Sequence, residues 1–91
     1  MDGADLHDAY LYSAELAGSN LSNADLSDAN LSYARMIRVN LKGANLHDTY
    51  LNNVILNNAD LEDANGITNE ELEQQAIGLA GATMPDGSEH P

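Results

Sequence analysis

Apolar residues occupy every fifth position along most of the chain, from residue 6 to residue 61. An α-helix turns about 100° per residue, so five steps leave successive apolar side chains about 140° apart around the helix. Five steps along a β-strand place successive side chains on opposite faces of the sheet. Neither regular element therefore fits the pattern. The central residues are Leu6, Leu11, Leu16, Leu21, Leu26, Leu31, Met36, Leu41, Leu46, Leu51, Leu56 and Leu61.

A second set of residues, small or β-branched and mostly alanine, lies two positions before each central residue. Alternation along a short extended segment points both residues inward. The chain must then turn a corner, which Asp, Asn, Ser and Gly favour. Four right-angle corners would close a coil of about twenty residues, and Asp8, Asp28 and Asp48 recur at that spacing. We therefore expect a solenoid of about three coils, each stacked on its neighbours.

The five-residue motif Ala-[Asp/Asn]-Leu-x-x, seen here as AELAG, ADLSD, ANLSY, ANLHD and ADLED, resembles the repeat of the pentapeptide-repeat family. The resemblance covers residues 4–65. It implies an all-β solenoid, a right-handed quadrilateral β-helix with leucines along its axis, which we assign to residues 1–66. Small acidic members of this kind are abundant in cyanobacteria. The departures are mild: Met36 at a centre, Val39, Thr49 and Val54 at the small position, and Tyr10, Arg35, Tyr50 and Ile55 where Asp or Asn is usual.

The repeat fails at Gly66, and residues 67–91 follow another pattern. A Thr-x-x-Glu capping box, bracketed by two hydrophobic residues, predicts a helix over residues 69–77. Because an open solenoid end exposes unpaired edges and core leucines, we expect this helix to cap the last coil. A partner-binding or dimerising role is the alternative. The cap residues are Ile67, Thr68, Glu71, Leu72 and Ala76.

The two ends of the chain have separate expectations. Residues 82–86 resemble one further repeat in shifted register, and residues 87–91 are expected to be disordered. The first repeat begins at Ala4. Either a preceding segment is missing from this sequence, or the first coil presents a bare edge through which two copies of the chain self-associate.

Composition narrows the classes of partner. The formal net charge is −12 at pH 7 with only three Lys and Arg residues, which argues against direct binding to nucleic acid or to a membrane of anionic lipid. The absence of cysteine excludes disulfides and thiolate metal sites. No apolar run approaches the ~20 residues of a transmembrane helix, and the acidic N-terminus lacks the basic region of a signal peptide. We expect a cytoplasmic protein whose partners present basic surfaces or cations.

The stacked columns offer little for catalysis or metal binding. If residues twenty apart lie about 4.8 Å from each other, His7 and His47 are about 9.6 Å apart, too far to share one ion. Asp8, Asp28 and Asp48 form a nearby column, for which solvated turn residues are the simpler interpretation and a weak cation ladder the alternative. Because nucleophile motifs and phosphate-binding glycine loops are also missing, we predict no enzyme, no metal site and no cofactor.

Stacking residues twenty positions apart predicts two surfaces that could contact a partner. Tyr10 and Tyr50 share one column, with Tyr12 and Tyr33 nearby, and tyrosine is favoured at interfaces. Ordinary cross-strand packing is the alternative interpretation.

The second surface is the third face, the side of the coils that starts at Glu15 in the first coil. Arg35, Ile37, Arg38 and Ile55 meet there on an otherwise acidic and polar surface. An apolar patch with arginines is typical of an interface core, so these four residues form the candidate interface.

We therefore interpret the chain as a non-enzymatic protein-interaction or structural module. The family resemblance also implies an alternative, a DNA-mimicking binder of DNA gyrase or of another nucleic-acid-binding protein. Some bacterial pentapeptide-repeat proteins imitate duplex DNA and bind DNA gyrase, protecting it from quinolones. The excess of acidic residues agrees with such mimicry, since residues 1–66 carry ten acidic and three basic residues. Three coils nevertheless span only about 14 Å at sheet spacing, or about four base pairs. The family's DNA mimics are longer rods that dimerise through their C-terminal ends.

Overall fold

The coil of the solenoid contains twenty residues. A computed structural model describes residues 2–91, and single-residue parallel bridges link positions twenty apart throughout residues 5–65. The bridges form four columns, one for each face of the coil. The first face contains Asp5, Asp25, Asn45 and Asn65; the second, Tyr10, Asn30 and Tyr50; the third, Glu15, Arg35 and Ile55; and the fourth, Asn20, Asn40 and Asp60.

The faces are shorter than the strands of an ordinary sheet. Two of every five residues lie in a turn and one forms the bridge, so within residues 2–91 no run of residues forms an extended strand. The expected all-β solenoid is therefore correct in its stacked coils and parallel pairing, but its faces are single bridges. Dense backbone bonding compensates, as when Leu6 N–H donates to Asp25 O at 2.8 Å and Asp25 N–H donates to Ala4 O at 2.9 Å.

Each corner is a tight turn whose second residue has a left-handed conformation. In the first corner Ala9 N–H donates to Leu6 O at 2.9 Å, and Asp8 has φ 63°. A positive φ at this position alone is the pattern of a type II turn. The carboxylate of Asp5, just before the central leucine, accepts the N–H of His7 at 3.2 Å. Equivalent bonds at other corners explain why the repeat favours Asp or Asn before its centre.

The axis of the solenoid is filled by the central residues. From Leu21 to Leu61 every centre is buried, with at most 1% of its surface exposed. Leu6, Leu11 and Leu16 are half-buried, because the first coil packs against described residues on one side only. At the small position Thr49 is buried, and its hydroxyl donates to Leu26 O at 2.8 Å.

The helix α1, Asn69–Gln75, replaces the second face of the fourth coil. Thr68 and Glu71 form a reciprocal capping box, and Leu72 is completely buried. Gln75 continues the ladder, because its backbone carbonyl accepts Asn53 N–H at 2.7 Å. No helix within residues 2–91 has the length and apolar character needed to cross a membrane.

The helix ends two residues earlier than the sequence predicts. Ala76 has an extended backbone, with φ −74° and ψ 144°, and Ile77 N–H donates to Val54 O at 2.9 Å. The chain thus leaves the helix to resume the ladder of the third face. There Gly78 pairs with Ile55 and approaches the Asn57 side chain so closely that a Cβ atom would collide with it.

Residues 82–86 form the fourth face of this last coil. Thr83 bridges to Asp60, while Ala82 and Met84 are buried in the positions that small and central residues occupy elsewhere. The expected disorder of residues 87–91 is corrected by the structure. Glu89 forms an antiparallel bridge with Thr83, and His90 N–H donates to Ala82 O at 2.8 Å, because the last coil leaves an edge that the tail can pair with.

Candidate protein-interaction surface

The large aromatic side chains of this protein are four tyrosines, and all four are exposed. The sequence contains no Phe or Trp, and the core is filled by aliphatic residues and methionine. The four residues define the tyrosine surface. Their exposed fractions are 76% for Tyr10, 46% for Tyr12, 51% for Tyr33 and 58% for Tyr50.

The ring contacts give this surface a defined shape. Tyr10 and Tyr12 are stacked, with ring centroids 6.1 Å apart and planes 5° from parallel. Tyr12 also contacts Tyr33, at 5.3 Å and 50°. Tyr50 lies two coils from Tyr10 in the same column, with the shorter Asn30 between them. The Asn30 carboxamide accepts Ser32 N–H at 3.1 Å, so the middle of this column holds a short side chain that is bonded to its own turn.

Tyr33 belongs to the tyrosine surface although its backbone conformation is unfavourable for a bulky residue. Its φ is 62°, in the left-handed region where a bulky residue is uncommon. The corresponding corner positions elsewhere hold mainly Asp, Asn and Gly. The contact between Tyr12 and Tyr33 joins residues 21 positions apart, one coil plus one residue. The twenty-residue spacing could have revealed this proximity, whereas the ring orientations depend on side-chain torsions that it does not specify.

The corner between the first and second faces is acidic. Asp8, Asp28 and Asp48 are exposed there. His7 Nε2 lies 3.1 Å from Asp8 Oδ2 and 4.0 Å from Asp28 Oδ2. The other histidine of that column, His47, contacts Asn45 Oδ1 through Nδ1 at 2.6 Å.

These groups meet only part of the requirement for a metal site. The potential ligand atoms of His7, Asp8 and Asp28 lie within 4.8 Å of one another, and all three residues are exposed. Because all three side chains are more than half exposed, water competes for both the ion and the ligands, so this arrangement supports at most weak cation binding.

Serine hydroxyl groups stabilise two turn carboxylates, Asp25 in the coils and Asp86 in the C-terminal segment. The Ser27 hydroxyl and then its backbone N–H hold the pKa of Asp25 below the ordinary value of 3.8, with a smaller contribution from His7. In the C-terminal segment, the Ser88 hydroxyl lowers the pKa of Asp86 in the same way, helped by Ser88 N–H and the Asn69 amide. In both turns the serine hydroxyl and N–H therefore favour the ionised form of the carboxyl.

Several side chains of the predicted third-face interface are already paired or half-buried within the protein, which its sequence does not indicate. Arg35 Nε lies 3.3 Å from Glu15 Oε2. Ile37 and Ile55 are half-buried, while Arg38 is exposed at the corner. The remaining basic residue, Lys42, lies 3.3 Å from Glu62 Oε1. The third face therefore presents arginine and polar groups, and the larger exposed hydrophobic side chains are the tyrosines and Ile77, which is 65% exposed.

The C-terminal segment contributes a shallow depression. Ile77, Leu79 and His90 line a cavity of about 280 Å³, and His90 Nε2 lies 3.7 Å from Glu73 Oε2 across it. The depression is open to solvent and offers no enclosed environment for a reacting group.

Comparison with known proteins gives a consistent picture. The family model described as pentapeptide repeats matches residues 4–43 and 44–67, in eight copies. The structure of HetL, a pentapeptide repeat protein involved in heterocyst differentiation regulation in the cyanobacterium Nostoc sp. strain PCC 7120, is similar with a TM-score of 0.85 and 36% identity. The similarity covers 99% of this chain and 40% of HetL.

A pentapeptide repeat protein from the thylakoid lumen of Arabidopsis thaliana is also similar, with a TM-score of 0.58 and 30% identity. That similarity covers 96% of this chain and 63% of the plant protein, so the chain spans less than two thirds of either relative. No curated protein sequence matches the chain.

Proposed function

Because the chain belongs to the pentapeptide repeat family, whose members are generally not catalytic, we propose that it is a non-enzymatic module that binds another protein through its outer surface. The observation that carries this proposal is the tyrosine surface. Tyrosine offers a large apolar ring with a polar end, at low conformational cost, and is enriched at protein interfaces. Four such side chains on one side of a small acidic domain form a contact surface rather than a part of the core.

The filled axis supports the same function. Central residues from Leu21 to Leu61 leave no room for a substrate inside the coils, since each has at most 1% of its surface exposed. Recognition by this part of the chain must therefore use outward side chains. The dense backbone ladder holds those side chains on a rigid scaffold, which lowers the entropy lost when a partner binds.

The similarity to HetL favours a regulatory role. HetL is involved in regulating heterocyst differentiation, and its structure contains the whole fold described here. We propose that this chain likewise acts by contacting a regulatory partner, with the tyrosine surface as the principal contact. The third face, with Arg35, Ile37, Arg38 and Ile55, remains the second predicted contact.

DNA mimicry has less support from the dimensions of the molecule. Its longest axis is 30 Å, equivalent to about nine base pairs at 3.4 Å per pair. The third face also carries Arg35 and Arg38, which a continuous phosphate-like surface would not contain. Binding to DNA gyrase is therefore a secondary hypothesis, and the experiment below tests it as well.

The test is a pull-down from the source organism's lysate, read by mass spectrometry. One variant replaces the tyrosines by residues that the repeat itself uses at those positions: Tyr10→Asn, Tyr12→Ser, Tyr33→Asn and Tyr50→Asn, here called the tyrosine variant. A second bait carries Ile37→Asp and Arg38→Glu. We expect a protein retained by the wild type and by the second bait, but lost with the tyrosine variant.

The other outcomes discriminate among the alternatives. Loss with the second bait alone would place the contact on the third face, and gyrase subunits among the retained proteins would favour mimicry. Wild-type bait that retains nothing above background would contradict the proposal. Thermal unfolding of each bait verifies that a lost contact does not reflect a lost fold.

A further inference from the structure

We propose that the tyrosine surface recognises a basic, arginine-containing extended segment of its partner. This inference rests on the proposed function and specifies the chemistry of the partner at the same surface. It follows from the tyrosine rings, from the distribution of charge around them and from the short Asn30 side chain between two tyrosines of the second-face column.

The charged groups that border the tyrosine surface are mainly carboxylates. Asp8, Asp28 and Asp48 run along the corner that adjoins the second face, and the protein as a whole has a formal net charge of −12. The basic side chains of the adjoining faces already have acidic neighbours: Arg35 Nε lies 3.3 Å from Glu15 Oε2, and His7 Nε2 lies 3.1 Å from Asp8 Oδ2. A cationic segment would therefore be attracted to this side, whereas an acidic one would be repelled.

A second copy of this chain is a poor occupant for the same reason. It would bring an identical row of carboxylates to the interface, and like charges placed together oppose association. The partner that the surface fits is thus a different protein with a positive segment.

The ring geometry favours arginine over lysine. A guanidinium group is planar, so it stacks on an aromatic face while its N–H groups bond to neighbouring carboxylates. Here Tyr10 and Tyr50 stand two coils apart, about 9.6 Å by the strand spacing, and the shorter Asn30 lies between them. An arginine side chain that packs over Asn30 would lie between these two exposed tyrosines, with the Asp28 carboxylate at the adjoining corner.

A direct test uses synthetic peptides and the intact chain. The probe is an acetylated, amidated peptide in which arginine alternates with glycine, and the comparison peptide has lysine at each arginine position. Binding is measured by calorimetry and by NMR at low salt. We expect saturable binding of the arginine peptide, several-fold weaker binding of the lysine peptide, and affinity that falls as sodium chloride is raised.

Two sets of variants assign the contact. The tyrosine variant should lower the affinity for the arginine peptide at least tenfold, with chemical-shift changes around Asn30 lost. Asp8→Asn with Asp28→Asn should also weaken binding. The matched control is Asp60→Asn with Asp63→Asn, which removes the same number of charges from the opposite side of the coil and should change affinity far less. Asparagine suits the left-handed corner positions of Asp8, Asp28 and Asp63. At residue 60 its carboxamide oxygen can accept the Glu62 N–H that Asp60 accepts, so these variants preserve the backbone.

Three results would overturn the inference. They are no saturable binding by the arginine peptide, equal affinity for wild type and the tyrosine variant, and equal loss in the two carboxylate variants, which would indicate only nonspecific attraction. Sedimentation that shows a dimer lost with the tyrosine variant would make a second copy the occupant and would also contradict it. If the pull-down still retains a partner through the tyrosines while the peptide fails, the proposed function stands and only the basic chemistry is wrong.

Discussion

At the scale of single residues, the corners impose the strongest demand on this sequence. Each turn from Asp8 to Asp63 places its second residue at positive φ, and ten of these residues are not glycine. Asn and Asp accept this conformation because their short side chains bond locally, but Tyr33 and Arg38 have no such advantage. The sequence pattern predicts the corners, yet it does not explain why these two bulky residues stand there. At Tyr33 the ring contact with Tyr12 supplies a reason.

Relieving the strain at Arg38 should stabilise the protein. Its φ is 60°, and a non-glycine residue in this region costs about 1 kcal/mol. We expect Arg38→Gly to unfold about 4–8 °C above Arg38→Ala, because both variants lose the charge and only glycine removes the strain. Thermal unfolding followed by circular dichroism measures the difference. Equal midpoints would show that the corner is not strained at this residue.

The reverse substitution provides an independent check of the same principle. Gly18 has φ 74°, and a Cβ atom added there would meet nothing within 4 Å. Gly18→Ala should therefore destabilise the fold by about 1 kcal/mol through backbone conformation alone.

A hydroxyl controls the ionisation of Asp86. The Ser88 hydroxyl donates to Asp86 Oδ1 at 2.6 Å and is the largest cause of the lowered pKa. Ser88→Ala should therefore raise the pKa of Asp86 toward 3.8, as measured by NMR titration of the side-chain carboxyl carbon. The Asp25 carboxyl, which bonds to Ser27, is the internal control and should titrate unchanged.

The same substitution should have a pH-dependent effect on stability. A carboxyl whose pKa is lower in the folded protein stabilises the fold above its unfolded pKa, and this contribution is lost as pH falls through the folded pKa. The stability difference between wild type and Ser88→Ala should accordingly be present at neutral pH and shrink below about pH 4. A difference that persists unchanged in acid would point to packing rather than ionisation.

At the scale of elements, the start of α1 could be predicted and its end could not. Thr68 and Glu71 lie three residues apart, and their reciprocal bonds are local, so the sequence alone predicts the first turn. The end depends on Ile77 N–H meeting Val54 O, a contact across 23 residues that outweighs local helical preference. The tail was unpredictable for the same reason, because Glu89 pairs with an edge that exists only after the last coil has formed.

Removing residues 67–91 should expose the end of the solenoid. Five backbone N–H groups of the preceding coil donate to backbone carbonyls in that segment: those of Asn53, Leu56, Asn58, Leu61 and Asp63. We expect the truncated protein to aggregate, since unpaired edge groups and core leucines become available to other chains. Size-exclusion chromatography with light scattering measures this outcome. A truncated chain that stays monomeric and equally stable would show that the segment is not the cap.

The candidate surface was only partly predictable at this scale. Counting in steps of twenty places Tyr10 and Tyr50 in one column, because bridge register alone determines that relation. The exposure of Ile37 and Ile55 was overestimated, since both are half-buried. Outward residues, whether at a corner as Ile37 or on a face as Ile55, can still be partly covered by neighbouring residues, and a repeat pattern does not contain this information.

At the scale of the whole molecule, each coil is stabilised by the coils on either side. Leu31 lies in the second coil and is completely buried, whereas Leu6 in the first coil is half-buried. We expect Leu31→Asp to abolish cooperative folding, because the carboxylate would be buried without a partner. Leu6→Asp is the matched control. This variant should unfold at a lower temperature than the wild type but should still unfold cooperatively. A cooperative, near-native melt for Leu31→Asp would refute the leucine-filled axis.

The spacing between paired coils changes once along the chain, and this change defines how the scaffold can vary. Bridges join residues twenty apart up to Asn65, but Ile55 pairs with Gly78 and Asp60 with Thr83, both 23 residues away. A whole face has been exchanged for a helix, at the expense of three extra residues, while the next two faces stay in register. Segments of other lengths can therefore be grafted between corners of this solenoid, provided that their ends return to the same two backbone positions.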